Sequence, residues 1–285
     1  RSTSSPAERR PDRTRRAGAS RLPLAELLFW PTLLLYGEAA FGYLGEARRP
    51  GSAGRAATWG VRLGWIAQTA LLGVQAARRD GFPWATWAGS LNLFVWLVVS
   101  AYLIWGCRRS YRLLGLTVMP LAAALLVVAR AGGGTGVGGR SHYSNLFLVL
   151  HVGLVLVAFA GFTLAAALSA LYLWQERRLK RHPATVLRRP VPALATLDAL
   201  ALRMVAWSLP ALTLGIAVGV ARLVADGDGV DALIAATVVT WVVWTAYLGL
   251  RWRGGLAGRR AAYLALAGFV LVILVRLALP VTHFA

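Results

Sequence analysis

The side chains of this sequence best suited to hold a metal are its four histidines, His142, His151, His182 and His283. Neutral imidazole is the commonest protein ligand for metals, and haem iron is one metal it takes. His151 lies about six residues into a long apolar run, and His283 falls just past the end of the last such run. The two are remote in the chain but share a similar depth zone, ~9 Å below a helix end for His151. Two rings facing each other there could clamp a metal. The plain alternative is that His151 makes a polar contact between helices and His283 is a tail residue. His142 stands in the loop before His151 and could substitute as a ligand. His182, next to Pro183, reads as part of a solvated basic segment.

Charged residues inside apolar runs need partners and mark function more often than surface charges do. Arg222 sits near the outer end of the sixth run. Arg276 precedes His283 by seven residues, about two turns, which would put both on one face of a continuing helix. Arg130 ends the fourth run. An anionic ligand would account for these arginines, since guanidinium pairs well with carboxylates such as haem propionates. Snorkelling to lipid phosphates is the other account. Glu38 in the first run and Asp231 at the start of the seventh are the notable acids; Asp231 reads as a helix cap and Glu38 as a partner for a nearby arginine.

Other chemistry has little support. There is no Ser/His/Asp set, no HExxH and no pair of carboxylates, so the chain reads as not an enzyme in its own right. Cys107 is the only cysteine, which excludes an internal disulfide or a CxxC redox pair. The stretch Gly132-Gly133-Gly134-Thr135-Gly136-Val137-Gly138-Gly139 lacks the GK[ST] ending of a phosphate loop and follows a helix. It reads as a flexible external loop.

The elements that must position these residues are membrane spans. Hydrophobic residues make up 58% of the 285, charged ones only 15%, and mean hydropathy is +0.59. A soluble chain is closer to half apolar. Here the excess falls in eight runs, at 24–45, 59–77, 85–106, 113–131, 145–174, 198–224, 231–250 and 260–280. Each reaches about 20 residues, enough to cross a ~30 Å hydrocarbon core. Trp59, Trp84, Trp87, Tyr111, Tyr143, Trp174 and Trp252 sit near run ends, as interfacial anchors do. The expected fold is all-α: a polytopic transmembrane helical bundle of about eight spans, forming one domain over 23–285. Residues 1–22 read as a disordered Arg-rich tail. They hold no apolar core of a signal peptide, and a start at Arg1 suits a fragment or a processed product.

The formal charge is +20, from 31 basic and 11 acidic residues. Nucleic acid is not the implied partner, because the arginines cluster between apolar runs without interleaved aromatics. Arg177, Arg178, Lys180, Arg181, Arg188 and Arg189 place the loop after the fifth run in the cytoplasm. Alternation then puts Arg48/Arg49/Arg55, Arg108/Arg109/Arg112 and Arg251/Arg253/Arg259/Arg260 inside as well, and both chain ends outside. The basic N-terminal tail runs against this bias. A first run that loops back at Pro31 or Gly37 would keep it inside; a full span is the preferred reading.

Three stretches resemble the cytochrome c assembly family of membrane proteins, the group that includes the CcsA/ResC type and a HemX-like branch. The first opens at His151-Val152 and ends in Leu171-Tyr172-Leu173-Trp174-Gln175-Glu176-Arg177-Arg178-Leu179-Lys180. The second is Thr240-Trp241-Val242-Val243-Trp244-Thr245-Ala246-Tyr247-Leu248-Gly249-Leu250-Arg251. The third is Gly258-Arg259-Arg260-Ala261-Ala262-Tyr263-Leu264-Ala265-Leu266-Ala267-Gly268-Phe269, closing with His283-Phe284. The resemblance covers 145–285 well and the first half loosely. It implies haem held at the outer membrane face between two histidines, which match His151 and His283. Three departures accompany it. The family's tryptophan-rich outer motif ends in an aspartate matching Asp231, but residues 224–230 contain no tryptophan. Gly249 stands where the family often has a histidine, and Gln68 lies in a helix where another is expected.

The leading expectation is therefore a haem-handling assembly factor for c-type cytochromes in the cell membrane, multi-pass. Haem is its cofactor, and a second assembly subunit, apocytochrome c and the lipid bilayer are its partners. His151 and His283 would ligate iron; Arg222 and Arg276 would meet the propionates. The alternative is a non-enzymatic HemX-like regulator or scaffold in tetrapyrrole synthesis, using the basic segment 177–189. A small-molecule transporter is the third reading, hinted at only by Pro31, Pro120 and Pro210 as helix interruptions.

Overall fold

The computed structural model describes residues 22–48, 51–77, 87–106, 109–133, 145–181, 192–226 and 232–278. The expected tail, the glycine-rich stretch beyond Gly133, His142, His182, Asp231 and His283 lie outside these residues. The described residues form eight α-helices and no strand: α1 Leu22–Arg48, α2 Ala53–Ala76, α3 Trp87–Gly106, α4 Gly115–Ala131, α5 Asn145–Arg181, α6 Leu194–Asp226, α7 Ala232–Arg253 and α8 Arg259–Ala278. A short 3-10 segment, Arg109–Leu114, leads into α4. The chain is a helical membrane bundle. Among the described residues, six helices are long and apolar enough to cross a bilayer by length and composition: α1, α3, α4, α5, α6 and α7. Backbone polar groups in hydrocarbon must be satisfied within the segment itself, and helices do this.

The eight apolar runs and the eight described helices coincide to within about four residues except at two ends: α2 starts at Ala53, six residues ahead of its run, and α5 overruns its own. Apolarity stops at Trp174, yet α5 continues to Arg181 and spans 37 residues. Gln175, Glu176, Arg177, Leu179 and Lys180 are good helix formers whatever their polarity. At 1.5 Å per residue α5 is ~55 Å long, well beyond the hydrocarbon thickness. The basic residues 177–181 thus ride on helix rather than loop. Lys180 pairs with Glu176 one turn earlier at 2.7 Å, and Arg178 donates to the Ala47 carbonyl of α1 at 2.8 Å.

Prolines do not interrupt the bundle. Pro31, Pro120 and Pro210 all lie inside continuous helices. The loop-back of the first run is excluded, because α1 passes unbroken through Pro31 and Gly37. The broken helices that a transporter reading calls for are not found at these prolines.

Successive helices run antiparallel. Gln175 of α5 donates to the Pro192 carbonyl just ahead of α6. Arg251, near the end of α7, forks onto Asp198, near the start of α6, with distances of 2.9 and 3.0 Å. Arg177 of α5 reaches Tyr263 at the start of α8. The bundle therefore has a basic end, where α1, α3, α5 and α7 finish and the other four helices begin. At the opposite end lie His151, Arg222 and the last turn of α8. Arg130 pairs there with Glu26 across α4 and α1. That ion pair accounts for Arg130 without any anionic ligand.

α5 belongs to both hydrophobic clusters of the core. One unites α1 to α4 with Ala160, Leu164, Leu168 and Leu171. The other joins α6, α7 and α8 to Ala158, Phe162 and Ala165. The most extensive helix pairs are α5 with α6 and α1 with α2, and both are lined by glycine. A Cβ on Gly64 of α2 would fall 2.6 Å from the Tyr36 ring, and one on Gly161 of α5 would run into Ser208. Small residues let backbones approach, which replaces the hydrophobic drive that lipid cannot supply.

Inside the first half a polar chain fastens three helices. Tyr36 of α1 donates to Gln68 Oε1 of α2 at 2.9 Å, and Gln68 Nε2 donates to the Asn92 side chain of α3 at 2.9 Å. Gln68 is fully buried. The Gln68→Leu variant should lose about 1–3 kcal/mol, because Tyr36 and Asn92 are left without their shared partner. A lowered unfolding midpoint of the purified protein in detergent would register this; an unchanged midpoint would contradict it.

Candidate functional site

His151 occupies the second turn of α5, where the helix lies against α6. Its Nδ1 is 2.8 Å from the carbonyl oxygen of Gly215. A carbonyl only accepts, so the imidazole donates. Phe147, one turn earlier, stacks on the ring with centroids 5.5 Å apart and planes 2° from parallel. The ring also lies against Gly219: a Cβ there would sit 2.6 Å from Cε1, 2.9 Å from Nδ1 and 3.5 Å from Nε2. His151 is half-buried. The interhelical polar contact anticipated as its plain role is therefore present, made through one ring nitrogen. Nε2 is not used in it.

Gly215 and Gly219 are four residues apart and share a face of α6. Gly215 also admits Val155 of α5, whose Cγ2 would lie 2.9 Å from an added Cβ. Arg222 follows three residues beyond Gly219, on a neighbouring row of the same helix, and is exposed. Arg276 belongs to the last described turn of α8. The pairing of Arg177 with Tyr263, with Gly258 packed under Tyr172, directs that turn toward the His151 end. The backbone thus brings His151, Arg222 and Arg276 to one end of the bundle, and His283 lies outside the described residues. No group of three or more His, Cys, Asp or Glu is found among the described residues.

The sites of departure have definite structures. Gln68 is tied up in its buried bonds to Tyr36 and Asn92. A Cβ on Gly249 would meet nothing within 4 Å. Trp244 of the second family-like stretch is buried and stacks on Phe162 at 4.4 Å, with planes 3° apart. It is a core residue joining α7 to α5. Glu38, exposed on α1, rests against Gly60 of α2. The two residues that composition alone did not single out are Gly215 and Gly219. Their signal was there as a G-x-x-x-G spacing within an apolar run.

Fold and site together define a polytopic helical membrane protein with an ordered imidazole at the end opposite its basic cluster. Residues 84–282 match the cytochrome C assembly protein family, and the chain belongs to that family. It is 26% identical over 195 residues to the protein HemX of Brevibacillus brevis, covering 66% of this chain and 71% of the relative. It is 25% identical over 302 residues to the cytochrome c biogenesis protein CcsA of Microcystis aeruginosa, covering 86% and 89%. The CcsA of Synechococcus elongatus is 27% identical over 296 residues, covering 85% and 88%. No solved structure matches the chain.

The two-ended layout can be checked directly. With Cys107 replaced by serine, Arg222→Cys and Lys180→Cys should react with a membrane-impermeant maleimide from opposite sides of sealed vesicles. Labelling of both from one side contradicts the antiparallel arrangement.

Proposed function

We propose that this chain takes part in c-type cytochrome biogenesis by holding haem at the outer membrane face and presenting it to an apocytochrome. The reading has eight spans in the cell membrane, the basic end in the cytoplasm and both chain ends outside. His151 and His283 serve as axial ligands. Arg222 and Arg276 pair with the propionates, and a second assembly subunit completes the complex. Haem, when bound, supplies the iron and its two carboxylates. The protein's own part is to hold, orient and release.

The observation that carries this reading is the state of His151. Its ring packs against Phe147 and Gly219, its Nδ1 is bonded to the Gly215 carbonyl, and that bond leaves Nε2 unused among the described residues. Metal-binding histidines commonly have one nitrogen held by a backbone carbonyl and the other on the metal. The family membership, and relatives named for cytochrome c biogenesis, point the same way.

A second reading has its own support. Gly249 and the lack of tryptophan before Asp231 suit a HemX-like regulator or scaffold of tetrapyrrole synthesis, and HemX is among the relatives. In that case the basic segment 177–189 contacts a cytoplasmic enzyme. A pull-down that recovers no such enzyme, with or without that segment, counts against it.

Reduced-minus-oxidised haem spectra of the purified protein test the first reading. The double variant His151→Ala/His283→Ala should lose the bound-haem bands, and Arg222→Ala should weaken binding about tenfold, the ~1.5 kcal/mol of a hydrogen bond to a charged group. Unchanged spectra in the double variant rule out that ligand pair.

A further inference from the structure

We propose that Gly215 and Gly219 of α6 are positioning residues for His151, setting both the tautomer and the seat of its imidazole. This inference rests on the reading of His151 as a haem ligand and deepens it. The two glycines act by different means. Gly215 contributes its backbone carbonyl, 2.8 Å from Nδ1. Because that oxygen accepts only, the neutral ring carries its proton on Nδ1, and the lone pair lies on Nε2. Gly219 contributes the absence of a side chain.

The need for glycine at 219 follows from the distances. A Cβ at that position falls 2.6 Å from Cε1 and 2.9 Å from Nδ1, closer than carbon atoms pack. The half-buried ring must shift to admit that atom. In its present place it bonds the Gly215 carbonyl and stacks on Phe147 with centroids 5.5 Å apart. Alanine at 219 thus moves the imidazole off the position that makes these two contacts. The ring then loses its fixed tautomer, and Nε2 loses its fixed aim. Gly153, on α5 two residues past His151, is the natural control, since a Cβ there meets nothing within 4 Å.

Two measurements on full-length protein test this, one of them without haem. In haem-free protein labelled with ¹⁵N-histidine in nanodiscs, the His151 signals, assigned by their loss in His151→Ala, should report the proton on Nδ1. Gly219→Ala should shift them toward mixed tautomers, and Gly153→Ala should not. With haem added, Gly219→Ala should weaken binding by about 10–100-fold, the usual cost of losing a group that orients a metal-bound histidine, while Gly153→Ala binds as the parent does. A proton on Nε2 in the parent overturns the proposal even if Gly219→Ala fails to fold. So does a Gly219→Ala protein with unaltered tautomer and haem affinity when His151→Ala abolishes binding; the ligand reading then survives alone. If instead the tautomer is as expected but His151→Ala binds haem normally, the ligand reading and the positioning role fall together.

Discussion

The close approach of α5 and α6 is the constraint on which the rest of the molecule depends. Lipid gives two helices no hydrophobic reason to associate, so contact must come from backbones that come near enough to fit together. Along this seam the fit repeats in one antiparallel register: Gly161 against Ser208, Val155 against Gly215, and His151 against Gly219. The same contact that packs the pair also orients the imidazole. α5 then serves both halves of the core, carrying Leu164 and Leu168 into one cluster and Phe162 and Ala165 into the other. Displacing this helix would disturb both clusters together with the site at its end.

Much of the fold could be read from the chain because hydropathy responds to length and lipid exposure, and these set helices in a membrane. What hydropathy does not report is helix beyond the apolar run. Gln175 to Arg181 are polar except for Leu179, but their propensity and the bonds to Pro192 and Ala47 keep them helical. Partnerships across the sequence were also hidden. Arg130 meets Glu26, 104 residues away, and nothing near either residue announces the other. The site was legible in part. His151 stood out by type and depth. The glycines that seat it did not, since their role depends on a facing helix that periodicity cannot identify.

Polar groups within the bundle are employed in cross-bracing. Tyr36, Gln68 and Asn92 tie α1, α2 and α3, and Tyr102 donates to Tyr43, joining α3 to α1. Arg251 and Asp198 do the same for α7 and α6 at the basic end. In hydrocarbon an unmet polar group is costly, so each such bond also fixes which helices are neighbours. In the first half, buried Gln68 spends both its donor and its acceptor group on such bonds.

Gly249 lies on α7, inside the second of the three family-like stretches. A Cβ there would meet nothing within 4 Å, so alanine at this position disturbs no described neighbour. Packing thus leaves the identity of this one residue unconstrained at its first side-chain atom, in contrast to Gly64, Gly161 and Gly219, where the facing helix decides it.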